Sequence, residues 1–212
     1  MNQRRVVTAS VLSALAVLLV VIGAAARPLI VPDDTAPAEM LTATEIAFVQ
    51  DMSAHHQQAV LLITNFTPGP PDRLATLTQQ IDRTQRGELG MMLGWLQLAE
   101  VTPTNPAPMA WMAHSHSHHG GPGTDTDSMT MPGRVSRAEL DALSAARGTE
   151  AERQFLALMR RHHRGALLMA QAADAQIATG PVKLLARAMI ATQSQEIGLM
   201  TILLDQLNTA TR

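Results

Sequence analysis

Apolar residues recur every three to four positions over four long stretches of this chain, and no stretch alternates with a sustained period of two. That spacing predicts helices and no sheet. Thr42 and Glu45 make a capping signature for a first helix, which runs to about Phe66, where Thr67-Pro68-Gly69-Pro70-Pro71 forces a turn. A second helix runs from about Asp72 to Glu100 and meets Pro103, Pro106 and Pro108. Residues 101–134, rich in Pro, Gly, His and Met, read as a long loop. Ser136 and Glu139 cap a short helix that Gly148 ends. Thr149 and Glu152 cap a third long helix that stops near Gly180-Pro181, and a fourth runs from about Val182 to Leu207.

The pattern contains a repeat. Phe48, Met52, His55, His56 and Ala59 recur as Phe155, Met159, His162, His163 and Ala166, at an offset of 107. Ile81, Gln85, Glu88, Leu89 and Met92 recur as Met189, Gln193, Glu196, Ile197 and Met200, at an offset of 108. Self-similarity of this kind fixes architecture first. Two copies of a helical hairpin, 42–100 and 149–207, predict an all-α four-helix bundle with a pseudo-twofold axis between copies.

A helical wheel shows what faces inward. On the first helix Phe48, Met52, His55, Ala59 and Phe66 share a stripe, with His56 on its edge and Ser53, Gln57 and Gln58 on the other side. The second copy places Met159 and His162 inside and Arg160, Arg161 and Arg164 outside. Glu88 and Met92 share a face with Ile81, Leu77, Trp95 and Leu96, and Glu196 and Met200 repeat this beside Val182, Leu185 and Leu203. A carboxylate within an apolar stripe needs a partner. The inward-leaning imidazoles of the facing helix are the available ones.

These residues resemble the DUF305 family. The resemblance is carried by Phe48-x3-Met52-x2-His55-His56-x2-Ala59, by Gln85-x2-Glu88-Leu89-x2-Met92-x2-Trp95-Leu96 and by their second copies, and it covers roughly 42–207. It implies a ferritin-like four-helix bundle, exported, in a family with some members linked to copper or silver binding and tolerance. The family motif falls on Met52, His55, His56, Glu88 and Met92, and on Met159, His162, His163, Glu196 and Met200. Leu203 and Leu204 replace the Trp95-Leu96 of the first copy, which touches packing more than ligation.

Composition narrows the chemistry. The chain is 46% hydrophobic but 2% aromatic, with 13 Met and no Cys. Its core must be Ala, Leu, Ile, Val and Met, and thiolate sites and disulfides are excluded. A net charge of -2 gives no basic field for nucleic acid. Thioethers select Cu(I), and imidazole suits copper in either state. Met52 with His55 or His56 stands at helical spacing that lets a pair converge on one ion. The competing reading is structural: Met fills cores, and each Glu simply pairs with a buried His. The loop is a second candidate, since Met109, Met112, His114, His116, His118, His119, Met129 and Met131 lie together and short His-rich tracts bind metal; a solvated linker is its plain alternative. Trp95 reads as core, and the Arg160, Arg161, Arg164 cluster as a solvated face, with anionic lipid a lesser option.

No Glu is followed three residues later by His, as di-iron bundles require. No nucleophile elbow or phosphate loop is present. A binding protein rather than an enzyme is expected. The alternative to copper or silver sequestration and delivery is a metal-free envelope interaction domain.

Arg4 and Arg5 precede an uncharged run from Val6 to Ala26, long enough to span a bilayer. The arginines would stay cytoplasmic. Length favours a retained anchor over cleavage after Ala24-Ala25-Ala26, followed by a tether over 27–41. The rest is expected outside the cytoplasm: on a single-pass membrane protein, or secreted or periplasmic if the segment is cleaved.

Overall fold

Thr42 starts the first helix as anticipated. In the computed structural model its Oγ1 accepts from the Glu45 amide at 3.3 Å, and the Glu45 carboxylate accepts from the Thr42 amide at 2.8 Å. Residues 16–18, 20–22, 40–67, 69–115 and 131–209 are described. The bundle is built from α1 (Ala43–Asn65), α2 (Asp72–Leu98), the short α3 (Arg137–Ala145), α4 (Gly148–Gln176) and α5 (Pro181–Thr209), with a 3-10 turn at Ala110–Ser115 between α2 and α3. No strand occurs among the described residues.

The chain divides into two units, Met1–Glu39 and Met40–Arg212. Of the first, residues 16–18 and 20–22 are helical and exposed. No described helix is long and apolar enough to cross a membrane. The Val6–Ala26 run and the 27–41 tether lie largely outside the described residues.

Three local expectations need correction. Thr149 does not cap α4. The cap position is Arg147, without a side-chain bond, because the Glu152 carboxylate is drawn across the bundle to Arg73 of α2, which grips it with Nε and Nη2. A charge-assisted fork outcompetes a backbone cap. Gly148 opens α4 rather than ending the short helix, whose C-cap is Ala146. Ser53 is buried, as are Gln50 and Asp51 beside it. The sequence stripe described α1 as half-covered, whereas chain from the connection between the hairpins covers its other side.

That cover is ordered. Asp51 Oδ2 accepts three bonds: from the Met109 amide at 2.8 Å, Trp111 Nε1 at 2.9 Å and Asn105 Nδ2 at 3.0 Å. Gln50 Nε2 donates to the Thr102 carbonyl at 2.6 Å. Trp111 meets Phe48 edge-on, with centroids 5.5 Å apart. The segment from Val101 to Met112 is therefore a lid on α1 and not the open loop the composition suggested. Burial alone would push Asp51 towards protonation, and its carboxyl is raised above its ordinary value despite the three donors.

The connection returns through a tight turn, Met131-Pro132-Gly133-Arg134, closed by the Arg134 amide on the Met131 carbonyl at 3.2 Å. Pro132 sets the first corner, and Gly133 at φ 70 supplies the second, as a type II turn demands. This strap lies flush on α4. A Cβ on Gly165 would sit 2.0 Å from the Pro132 carbonyl oxygen, so only glycine fits there.

The core has two apolar clusters. One joins Phe48 and Met52 of α1, Met92 and Leu96 of α2, Met169 and Ala173 of α4, and Val182 and Met189 of α5. The other joins Leu62 and Phe66, Leu74 and Ile81, Phe155 and Met159, and Met200 and Leu204 of the same four helices. Phe66 and Phe155 stack at 4.5 Å. Between the clusters every long helix contributes two polar positions: His55 and His56, Gln85 and Glu88, His162 and His163, Gln193 and Glu196. These form a transverse polar layer. It follows that α1 and α5 run one way and α2 and α4 the other.

Candidate functional site

The layer is built from the repeat. Each hairpin brings a His-His pair on one helix to a Glu one turn beyond a Gln on its partner. All four imidazoles are fully buried, with Glu196 side-chain exposure at 2% and Glu88 at 12%. His56 Nε2 donates to Glu88 at 2.7 Å, and His163 Nε2 donates to Glu196 at 2.8 Å. Glu88 is thus held by His56, not by the inward-leaning His55, and His56 is interior rather than on the edge of the stripe. The second carboxylate has one partner more: Gln80 Nε2 reaches Glu196 Oε1 at 3.2 Å, linking α2 to α5.

His55 and His162 have a different task. Their rings lie face to face on the pseudo-twofold axis, with centroids 3.8 Å apart and planes tilted by 36°. His162 Nε2 donates to the His55 carbonyl at 2.9 Å, and His55 Nε2 donates to the Pro132 carbonyl of the strap at 3.1 Å. With Nε2 committed as donor, Nδ1 of each ring carries a lone pair. Desolvation holds both rings neutral. It lowers His55 to about 3 and His162 well below its ordinary value, with the neighbouring histidines adding repulsion.

Orphaned groups concentrate here. Nδ1 of His55, His56, His162 and His163 is buried with no hydrogen-bond partner among the described residues, as are Gln85 Oε1 and both amide atoms of Gln193. Buried polar atoms are rarely left unpaired. The two glutamines belong to the layer as fully as the histidines. Their recurrence in both copies marked them in the sequence, but nothing there distinguished them from solvent-facing amides.

The predicted thioethers divide. Met52 and Met92 lie in the first apolar cluster, Met159 and Met200 in the second, so the copies place their sulfurs on opposite sides of the layer. Met109 is also core, Met112 and Met131 pack partly buried against the first cluster, and Gln58 Nε2 contacts the Met131 sulfur at 3.9 Å. His114 sits on the 3-10 turn. His116, His118, His119 and Met129 lie outside the described residues. Trp95 is half-buried against the first cluster, and Trp111 is engaged by Asp51 and Phe48. Of the expected solvated face, Arg160 reaches Thr201 at 3.4 Å, Arg161 pairs with Glu139, and Arg164 is exposed.

By donor type the layer and its flanking methionines fit copper: buried imidazole nitrogens without partners, with thioethers in the adjoining clusters. By arrangement, no three His, Cys, Asp or Glu side chains among the described residues come together as a metal site. A site of three or more ligands made from this layer would therefore include sulfur or amide donors.

Comparisons with known proteins agree on kinship. A domain model of unknown function, DUF305, matches residues 45–204. A DUF305 crystal structure from Streptomyces coelicolor, of a candidate secreted protein, is 34% identical with a TM-score of 0.67, covering 78% of this chain and 92% of that one. A DUF305 fragment from Deinococcus radiodurans is 31% identical with a TM-score of 0.62, covering 78% and 97%. CopM, solved in a Cu(II)-bound form, shares the fold at 23% identity and a TM-score of 0.55, covering 76% and 96%. No curated protein matches at a significant level. The repeated hairpin, the polar layer and these matches together place the chain in the DUF305 family.

Proposed function

We propose that this protein binds copper outside the cytoplasm, for sequestration or delivery, through the polar layer and the methionines on either side of it. The observation that carries the reading is the set of four buried imidazoles whose Nδ1 atoms have no partner. At His55 and His162, neutral rings whose Nε2 donates to a carbonyl, Nδ1 is a buried lone pair without a donor, which is costly in a purely structural role and is the donor a copper ion uses. Low imidazole basicity at His55 and His162 supports the same role, because protons do not compete for those nitrogens at neutral pH. Met52 and Met159 stand one turn from the histidines and would supply sulfur. Glu88 and Glu196 would orient His56 and His163 from outside, fixing the tautomer. Met92 and Met200 are the further sulfur donors. Bound copper in CopM supports the choice of metal, and silver, equally thiophilic, is the natural surrogate. His114, His116, His118 and His119 would form a separate capture tract. The role is binding rather than turnover, and export rests on the Arg4-Arg5 and Val6–Ala26 signature.

A Cu(I) competition titration on the full chain tests this. Met52→Leu with Met159→Leu is expected to weaken binding on the order of 100-fold while helicity is retained, since disturbing even supporting groups of metal sites costs 10–100-fold. Deleting 116–130 is expected to leave the tight phase intact. Unchanged affinity in the methionine variant removes those ligands.

A second reading has its own support, because each carboxylate already has an imidazole partner and no three-residue His/Glu cluster forms among the described residues. The layer would then be a metal-free structural device in an envelope interaction domain. Glu196→Leu alone is expected to cost about 3 kcal/mol in denaturant melts, and His163→Leu with Glu196→Leu to recover most of it, because buried pairs are often replaceable as a unit. The two readings part on the double variant. Copper binding predicts lost affinity, and the structural reading predicts that nothing but stability changes.

A further inference from the structure

The strap Met131–Arg134 has an outer face. It forms one wall of a surface cavity of about 480 Å³ whose other wall is α4. Arg134, Arg161 and Arg164 line it, beside Met131 and Leu168. Arg161 is already neutralised: Nη1 and Nη2 hold Glu139 at 2.6 and 2.8 Å, and Nη2 also reaches the Arg134 carbonyl at 3.2 Å. Arg134 and Arg164 are exposed and have no side-chain partner among the described residues. The other charged pair nearby, Arg137 with Asp141, is closed on itself along α3. Among the described residues the cavity therefore carries two positive charges without an ionic partner, on a frame held by the Arg161–Glu139 bridge and by the glycine contact of strap and helix.

Guanidinium forks match the oxygens of phosphate and are weakly hydrated, so they release water readily to it. The same cavity presents apolar surface, with Leu168 55% exposed. We propose that Arg134 and Arg164, framed by the Arg161–Glu139 bridge, form a binding site for a phosphate group carried on an apolar body, the headgroup of an anionic phospholipid. A small free oxyanion satisfies the arginines and leaves the leucine unused. An occupied cavity holds down the strap whose Pro132 carbonyl anchors His55, which couples the membrane surface to the polar layer.

The full chain in lipid nanodiscs provides the test. Amide deuterium uptake over 131–135 and 160–168 is expected to be about tenfold slower in phosphatidylglycerol than in phosphatidylcholine, the effect of a bound ligand on local opening. Arg134→Gln with Arg164→Gln is expected to abolish the difference while leaving thermal unfolding unchanged, since both side chains are exposed. Equal uptake in the two lipids overturns the proposal, as does protection that survives the double variant. Inorganic phosphate giving the same protection in phosphatidylcholine nanodiscs would assign the cavity to a soluble anion and overturn the lipid assignment.

Discussion

Acidification from pH 6.5 towards 3 is expected to unfold the bundle through its two stacked histidines. His55 and His162 are neutral in the fold because burial denies their charged forms water, with His55 lowered to about 3. Once unfolded, each takes up a proton below its ordinary value of 6.5. The unfolded chain therefore binds more protons than the fold across that interval, and stability falls as pH falls. Each such group contributes a slope of up to about 1.4 kcal/mol per pH unit, so two give roughly 3 kcal/mol per unit. A few units are enough to exhaust the 5–15 kcal/mol typical of a domain. Carboxylates add to the loss further down: Glu139, held by Arg161 at about 2, contributes as it protonates below its ordinary 4.5. The interval between pH 6.5 and 5 therefore weights the imidazoles over Glu139, while Asp51, raised by burial, works in the opposite sense because the fold takes up its proton first. Denaturant midpoints measured across it should drop steeply, and His55→Gln with His162→Gln should flatten the slope even though the variant starts less stable. An unaltered slope would mean that other groups carry the acid lability.

Replacing Gly165 by alanine is expected to cost about 3 kcal/mol and lower the melting temperature by about 10 °C. The added Cβ would meet the Pro132 oxygen at 2.0 Å, its carbonyl carbon at 2.4 Å and the Gly133 nitrogen at 2.7 Å. All three atoms are backbone, so no rotamer relieves the contact. The strap must lift, and the bond from His55 Nε2 to Pro132 goes with it, leaving a buried donor unpaired. Gly90 is the control, being in mid-helix with nothing within 4 Å of its would-be Cβ. Gly90→Ala should be neutral or stabilising by about 1 kcal/mol, from helix propensity alone. Calorimetric melts of the two variants settle the matter, and a Gly165→Ala protein melting within a degree of the parent would show that the strap does not seal the layer.

Helix boundaries were legible within a few residues where Pro, Gly and capping pairs punctuate the chain, as at Thr42, Pro71 and Ser136. Thr149 misled because its partner Glu152 had a stronger claim from Arg73, seventy-nine positions away, and no local pattern records such a claim. The His and Glu members of the polar layer were also legible, since the two copies repeat them, whereas Gln85 and Gln193 were not marked as interior. The layer's pairing was not legible. His55 and His56 differ by one step on the wheel, and which of them meets Glu88 depends on how deeply α1 is covered. That cover comes from Asp51, Asn105, Met109 and Trp111, joined by side-chain bonds across irregular chain that has no period to read. The same blindness made Met109 look like a solvent-facing metal donor when its side chain is core.

The polar layer also answers how this core chooses one alignment. Leu, Met and Ile are close in volume and replace one another at modest cost, so a bundle built from them alone would hold its alignment weakly. Shifting α4 one turn along α1 would carry His162 and His163 in among Phe and Leu side chains and strand Glu196 opposite methionine. Both repeats would suffer at once. The layer is thus a notch that indexes the four helices against each other, and a chain stripped of it should remain helical and compact while losing the single arrangement that a fixed site requires.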